Sequence, residues 1–113
     1  MEDIEKPWGK YISIYSSKYK DVNLLFINPK QRTSFHFHNK KKECYQIIHG
    51  HAVFDINKTS DMFYEGDVID IDKNMPHRIF NPDEKEELII LEIETGIIYD
   101  ADSYILHDDY GRK

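Results

Sequence analysis

The sequence predicts an all-β domain, on three observations. Apolar and β-branched residues recur in short runs. Turn residues punctuate those runs at close intervals. No long stretch carries the i, i+3, i+4, i+7 apolar face of an amphipathic helix. The chain has 113 residues, which suits one domain and leaves no room for two, so 1–113 is read as a single unit. Parallel β-α-β architecture is excluded too, because the crossover helices would need more length than the spacing leaves. A sandwich or a barrel remains.

The elements follow in order. Residues 8–15 form the first run, anchored by Trp8. Residues 22–28 form the second and end at Asn28-Pro29, where proline removes a backbone donor. Residues 33–38 and 44–48 are separated by a charged turn, and the second of them stops at His49-Gly50. Residues 52–56 and 62–64 flank Asn57-Lys58-Thr59-Ser60, and 68–71 follows Glu65-Gly66. Lys73-Asn74-Met75-Pro76 leads into 77–81, Asn81-Pro82-Asp83 ends that run, and 88–94 closes the series. The last segment, from Tyr99, is polar and aromatic and carries Asp100, Asp102, Asp108 and Asp109. It reads as a short helix or as an irregular tail over one end of the barrel. Internal repeats, low complexity and Gly/Ser linkers are absent.

Composition narrows the function classes. Hydrophobic residues make up 40%, with eight Tyr, six Phe and one Trp, which excludes a disordered chain. Acids outnumber bases by 21 to 15, the wrong sign for a sequence-independent nucleic-acid binder. No apolar run approaches the roughly 20 residues that span a bilayer, and the opening Met1-Glu2-Asp3-Ile4-Glu5-Lys6 is too charged for a secretory signal. Cys44 is the one cysteine, so no internal disulfide forms. A cytoplasmic domain that binds neither nucleic acid nor membrane is expected. Phosphate-binding glycine loops and nucleophile elbows are absent.

The stretch Ser34-Phe35-His36-Phe37-His38 carries the chemistry. On a strand, residues two apart share a face, so His36 and His38 face one side and Phe35 and Phe37 the other. Two imidazoles about 7 Å apart at Cβ can hold a metal between their nitrogens. Glu43 opens the next run, where an antiparallel neighbour could bring its carboxylate to the same point. A third imidazole, His77, follows the turn at Lys73-Asn74-Met75-Pro76.

These residues carry a resemblance. His36-x-His38, then Glu43, then Gly50 resembles the first cupin motif, and Gly66 followed by Pro76-His77 and Asn81 resembles the second. Asp72-Lys73-Asn74 stands where the family has Pro-x-Gly, and Asn tolerates the left-handed conformation that the turn requires. Over nearly the whole chain the sequence is similar to type II phosphomannose isomerases. The similarity rests on Lys6-Pro7-Trp8-Gly9-Lys10-Tyr11, on Met75-Pro76-His77-Arg78, on Leu91-Glu92-Ile93-Glu94-Thr95-Gly96 and on Asp108-Asp109-Tyr110-Gly111-Arg112. It departs at His36, usually Gln in that family, at the Lys40-Lys41-Lys42 stretch, at Cys44-Tyr45 and at Ile105 and Asp109.

The resemblance implies a cupin jelly roll holding one divalent metal (Zn, Mn, Fe, Co or Ni) on His36, His38, Glu43 and His77. It implies a metal-dependent isomerase of a phosphorylated sugar, interconverting mannose 6-phosphate and fructose 6-phosphate or a close analogue. The alternatives are another metal cupin enzyme, of dioxygenase or epimerase type, and a non-catalytic sugar-binding module. Arg112 and Glu94 are the catalytic candidates, Glu94 as the base. Arg78 is a substrate-phosphate candidate because a guanidinium binds such groups bidentately. Lys40 is the substrate-binding candidate within Lys40-Lys41-Lys42, which reads either as a solvated turn or as an anion-attracting rim. Glu92 and Glu94 point either into the barrel or outward at a sheet edge. Cys44 faces away from Glu43 and reads as packing, and His49, His51 and His107 as surface or turn residues. A homodimer is expected, because Phe35 and Phe37 together would form an outward apolar patch; the alternative cover is the strand at 8–15.

Overall fold

The computed structural model describes residues 2–99 and 101–111. Eleven strands make up these residues, without helix: β1 Glu2–Lys6, β2 Gly9–Ser16, β3 Lys20–Ile27, β4 Phe35–Phe37, β5 Lys41–His49, β6 His51–Ile56, β7 Thr59–Tyr64, β8 Val68–Ile71, β9 His77–Phe80, β10 Leu88–Gly96 and β11 Tyr104–His107. They form a six-stranded sheet in the order β1-β2-β3-β10-β5-β8 and a five-stranded sheet in the order β11-β4-β9-β6-β7. All the registered pairs are antiparallel. No helix of the structure is long and apolar enough to cross a membrane.

Between the sheets lies a core of Trp8, Leu25, Ile27, Tyr45, Ile47, Ala52, Phe54, Ile69, Ile71, Ile79, Leu88 and Ile90. Burying such side chains supplies roughly 1.5–3 kcal/mol each. The three central strands change character along their length, and they do so in register. Leu88 pairs with Ile27, and Ile90 with Leu25 and Ile47. Two residues on, Glu92 pairs with Asn23 and Tyr45; two further, Glu94 pairs with Asp21 and Glu43. Because side chains alternate across a strand, these rows all point inward. One end of the interior is therefore apolar and the other is acidic.

Two strands lie where the pattern suggested none. β1 is charged and almost wholly exposed, so it has no hydrophobic alternation to detect. It forms because Pro7-Trp8 turns the chain back and Lys6 pairs with Gly9. Charged residues on an edge strand also deter pairing with another chain. Among the described residues from Tyr99 onward there is no helix, and β11 adds to the edge of β4. Conversely, the run at 33–38 is a strand only over Phe35–Phe37, because loop and side-chain partners capture its two ends. Asn74 has φ of 63°, so the turn at Asp72-Lys73-Asn74 takes the left-handed form without glycine. Gly96 ends β10 at φ of 137°, and a Cβ there would lie 2.4 Å from the Lys40 carbonyl oxygen.

The C-terminal segment is held down by a clamp. Arg32 donates twice to Asp109, Nε to Oδ2 at 2.5 Å and Nη2 to Oδ1 at 2.8 Å, and His107 Nε2 is 3.3 Å from Oδ1. The hydrogen bond from Arg32 is the main reason that the Asp109 carboxyl sits down at about 2. A carboxylate depressed in this way contributes stability above its ordinary value of 3.8, and the contribution is lost as pH falls through about 2. For a pair this open to water it amounts to ~1 kcal/mol or less. Asp109→Asn is expected to cost about that much in urea unfolding at neutral pH and nothing once the wild-type carboxyl is protonated. Equal stability of the two proteins at neutral pH would show that the clamp contributes nothing.

Candidate metal centre

At the acidic end, a cavity of about 460 Å3 opens between the sheets. His36 enters from β4 and His77 from the facing position on β9, where the two residues are directly paired. His38 lies one residue beyond β4. Glu43 comes from β5, in the opposite sheet. It reaches the imidazoles across the interior and not from an antiparallel neighbour of β4, as the sequence suggested. The ligand atoms of His36, His38, Glu43 and His77 all lie within 4.8 Å of one another. His36 and His77 ring centroids are 4.6 Å apart, and those of His36 and His38 4.9 Å.

Each imidazole is oriented through its other nitrogen. Nδ1 of His36 bonds the Ser34 carbonyl at 2.9 Å, Nδ1 of His38 the Asp102 carbonyl at 2.5 Å, and Nδ1 of His77 the Met75 carbonyl at 2.9 Å. A carbonyl oxygen only accepts, so Nδ1 carries the proton in all three rings and each Nε2 presents a lone pair. His77 Nε2 lies 2.9 Å from Glu43 Oε1, and His38 Nε2 lies 3.4 Å from it. Both Glu43 Oε1 and His77 Nε2 are buried without a hydrogen-bond partner of acceptable geometry. Two acceptors so close together require a proton or a cation between them. The donor set, three imidazoles and a carboxylate, fits a first-row divalent ion.

Charge inside the cavity follows from burial. Burial and the charge of His77 push the His36 imidazole down to about 3, which keeps it neutral and available as a ligand. Burial alone would raise Glu43, but the close approach of His38 and His77 outweighs it and holds the carboxyl well below the usual range. For His77 burial alone would lower the pKa, and the close approach of the Glu43 carboxylate reverses that. Glu92 and Glu94 both point inward and are buried. Burial and the Glu43 charge raise Glu92 to about 8; burial and the Glu92 charge raise Glu94 to about 9. Glu92 accepts from Asn23 Nδ2 at 3.0 Å. Lys41 Nζ is 2.6 Å from Glu94 Oε2; burial opposes its charge, but Glu94 keeps the ammonium raised.

Other expected site residues fall elsewhere. Arg112 lies outside the described residues. Arg78 alternates away from His77 and does not line the cavity: buried on the outer side of β9, it donates to the Thr33 carbonyl at 2.8 Å and the His107 carbonyl at 3.1 Å. Lys40 is exposed and outside the lining. Within Lys40-Lys41-Lys42 it is Lys41 that turns inward, so the stretch is not simply a solvated turn. Cys44 does face away from Glu43, but it is only half-buried, and burial with the Asp70 carboxylate beside it raises the thiol. His49 and His107 are exposed and His51 half-buried. Phe37 stacks on Tyr104 of β11 with centroids 5.1 Å apart. Neighbouring β11 thus covers the aromatic pair in part, while the strand at 9–16 lies in the other sheet. The sequence reading missed Lys41, Asn23, Asp102 and Lys6 as cavity residues. Inward alternation from Glu43 marks Lys41, and the same alternation on β3 marks Asn23; Lys6 lies on β1, which carries no apolar pattern, and Asp102 on the irregular stretch between β10 and β11.

Comparison with known proteins adds the family context. The family described as Mannose-6-phosphate isomerase C-terminal matches residues 1–109. The mannose-1-phosphate guanylyltransferase ManC of Salmonella typhimurium strain LT2 is 28% identical over 111 residues, which cover 97% of this chain and 23% of that protein. The chain thus spans about a quarter of that relative's length. Among solved structures, the oxalate decarboxylase of Lactobacillus farciminis superposes with a TM-score of 0.78 at 26% identity, over 93% of this chain and 33% of that one. The Cnp3 cupin domain of Schizosaccharomyces pombe superposes with a TM-score of 0.73 at 11% identity, over 77% of this chain and 64% of the other. The fold is a cupin fold.

Proposed function

We propose that this chain, which belongs to the mannose-6-phosphate isomerase C-terminal family, is a metal-dependent isomerase of a phosphorylated sugar, with mannose 6-phosphate and fructose 6-phosphate or a close analogue as its pair. One observation carries the reading: three imidazoles, His38 and His77 buried and His36 half-buried, turn Nε2 lone pairs toward Glu43, beside two further carboxylates in the same cavity. His36, His38, Glu43 and His77 would hold one divalent ion, which when bound acts as a Lewis acid on the sugar's carbonyl and hydroxyl oxygens.

The rest is the work of this chain's own side chains. Aldose–ketose exchange moves a proton between adjacent carbons, so a group that both accepts and returns a proton near neutral pH must face the substrate. Glu94 faces the cavity with its carboxyl raised to about 9, and Lys41 beside it compensates the charge that appears when the proton leaves. Glu92 and Asn23 supply hydrogen bonds to sugar hydroxyls. Lys6 at the exposed rim and Arg112 attract the phosphate. In a net-acidic protein a rim cation such as Lys6 steers an anionic substrate to the cavity.

A homodimer completes the proposal, with its interface on a different face from the one expected. On the outer side of the six-stranded sheet Ile12, Leu24 and Leu91 lie in register, flanked by the pairs Val22–Ile93 and Phe26–Ile89. A second copy would cover this apolar band. Light scattering of dilute protein is expected to give twice the chain mass of 13.5 kDa, and Leu24→Asp to halve it. A wild-type mass of a single chain would rule the interface out.

The activity test uses metal-loaded protein and a panel of free and phosphorylated sugars, with exchange followed by NMR. Turnover of a phosphorylated aldose is expected. Glu94→Gln should lower kcat by about 10²–10⁴-fold without loss of metal, whereas His38→Ala should lower metal content and His51→Ala should not. Oxygen consumption with iron would favour the dioxygenase alternative, and tight sugar binding without turnover under any metal would favour a binding module.

A further inference from the structure

Resting on the metal reading of the same site, we propose that Asp102 is a positioning residue that sets the orientation of the His38 ligand. The segment after β10 crosses the open end of the cavity and contributes Tyr99 and Ile105 to its wall. At the centre of this crossing Asp102 is 1% exposed, which is rare for a carboxylate in so polar a segment. Its side chain makes two charge-assisted bonds with the loop between β4 and β5: Asn39 N donates to Oδ1 at 2.9 Å and Lys40 N to Oδ2 at 3.0 Å. Its main-chain carbonyl accepts from His38 Nδ1 at 2.5 Å. One residue therefore holds the loop with its carboxylate and the ligand of that loop with its carbonyl.

The two attachments depend on one another. The Asp102 carbonyl has no strand partner to hold it in place, because β11 begins two residues later, at Tyr104. Ile97 N to the Lys40 carbonyl at 3.0 Å and Asp102 N to the Tyr99 carbonyl at 3.1 Å locate the crossing, but among the described residues the carboxylate bonds are what tie position 102 to the loop apart from the His38 bond itself. Without it the carbonyl is free to move off His38 Nδ1. The imidazole then loses the partner that selects its Nδ1–H tautomer and turns Nε2 toward Glu43. Partners of this kind typically change metal affinity by 10–100-fold.

The test compares wild type, Asp102→Ala and Asp102→Asn, the last keeping the volume and one acceptor. In metal-free protein, 15N shifts of the ring nitrogens report the tautomer directly. His38 is expected to be Nδ1–H in wild type and mixed in Asp102→Ala, while His36 and His77, whose carbonyl partners lie on other segments, keep theirs. Cobalt(II) titration followed by its visible absorption is expected to show affinity 10–100-fold weaker in Asp102→Ala and an intermediate loss in Asp102→Asn. An unchanged His38 tautomer together with unchanged cobalt affinity would overturn the inference. If Asp102→Ala fails to fold, the same two measurements on Asp102→Asn decide. If wild type binds no cobalt, the metal reading fails, and the tautomer comparison still settles whether Asp102 orients His38.

Discussion

The arrangement of the polar end depends on two lone pairs that face each other. With Nδ1 of His77 committed to the Met75 carbonyl, its Nε2 and Glu43 Oε1 meet at 2.9 Å in a buried site. Acceptors cannot stay there unless something positive lies between them. A proton can fill that role, and the raised His77 imidazole shows the pull of Glu43 toward it. A divalent ion fills it better, because it also satisfies the lone pairs of His36 and His38. It further offsets the negative charge of Glu43, beside which burial and the neighbouring carboxylates keep Glu92 and Glu94 raised.

The rest of the fold can be understood as the support for that meeting point. The apolar half of the interior fixes the spacing of the two sheets. That spacing decides whether Glu43, from one sheet, reaches imidazoles carried by the other. The in-register change from Leu88 and Ile90 to Glu92 and Glu94 on β10 places the acidic rows at the level of the histidines and no deeper. At the open end the turn at Asn74 donates to the His38 carbonyl at 2.6 Å, and Asp102 holds the same residue from the other side. His38 is thus gripped through both its backbone and its ring.

Much of this was legible in the residues, and the exceptions have physical causes. Alternation over two residues placed His36 and His38 together, and the turn ahead of His77 put that imidazole at the start of a strand. The inner β strands were legible because one face of each is apolar. β1 and β11 were not, since an exposed edge strand is defined by its partner and not by its own pattern. Arg78 illustrates a further limit. Its place beside His77 in sequence puts it on the opposite face of β9, where it binds backbone carbonyls and supports β11. Lys40 and Lys41 show the same limit in reverse: one residue of register separates a solvated side chain from one buried against Glu94. Which sheet carries Glu43 follows from topology, and no spacing along the chain encodes it.

The central claim is that three imidazoles, all through Nε2, and one carboxylate converge on a single divalent ion. X-ray absorption spectroscopy of the zinc-loaded protein measures this directly, because imidazole rings give a distinctive multiple-scattering pattern from which their number is fitted. The account predicts three imidazoles and at least one oxygen ligand around the zinc, at distances of about 2.0–2.2 Å, with one imidazole lost in His36→Ala. A zinc site with one imidazole or none, or one left unchanged in His36→Ala, would contradict it.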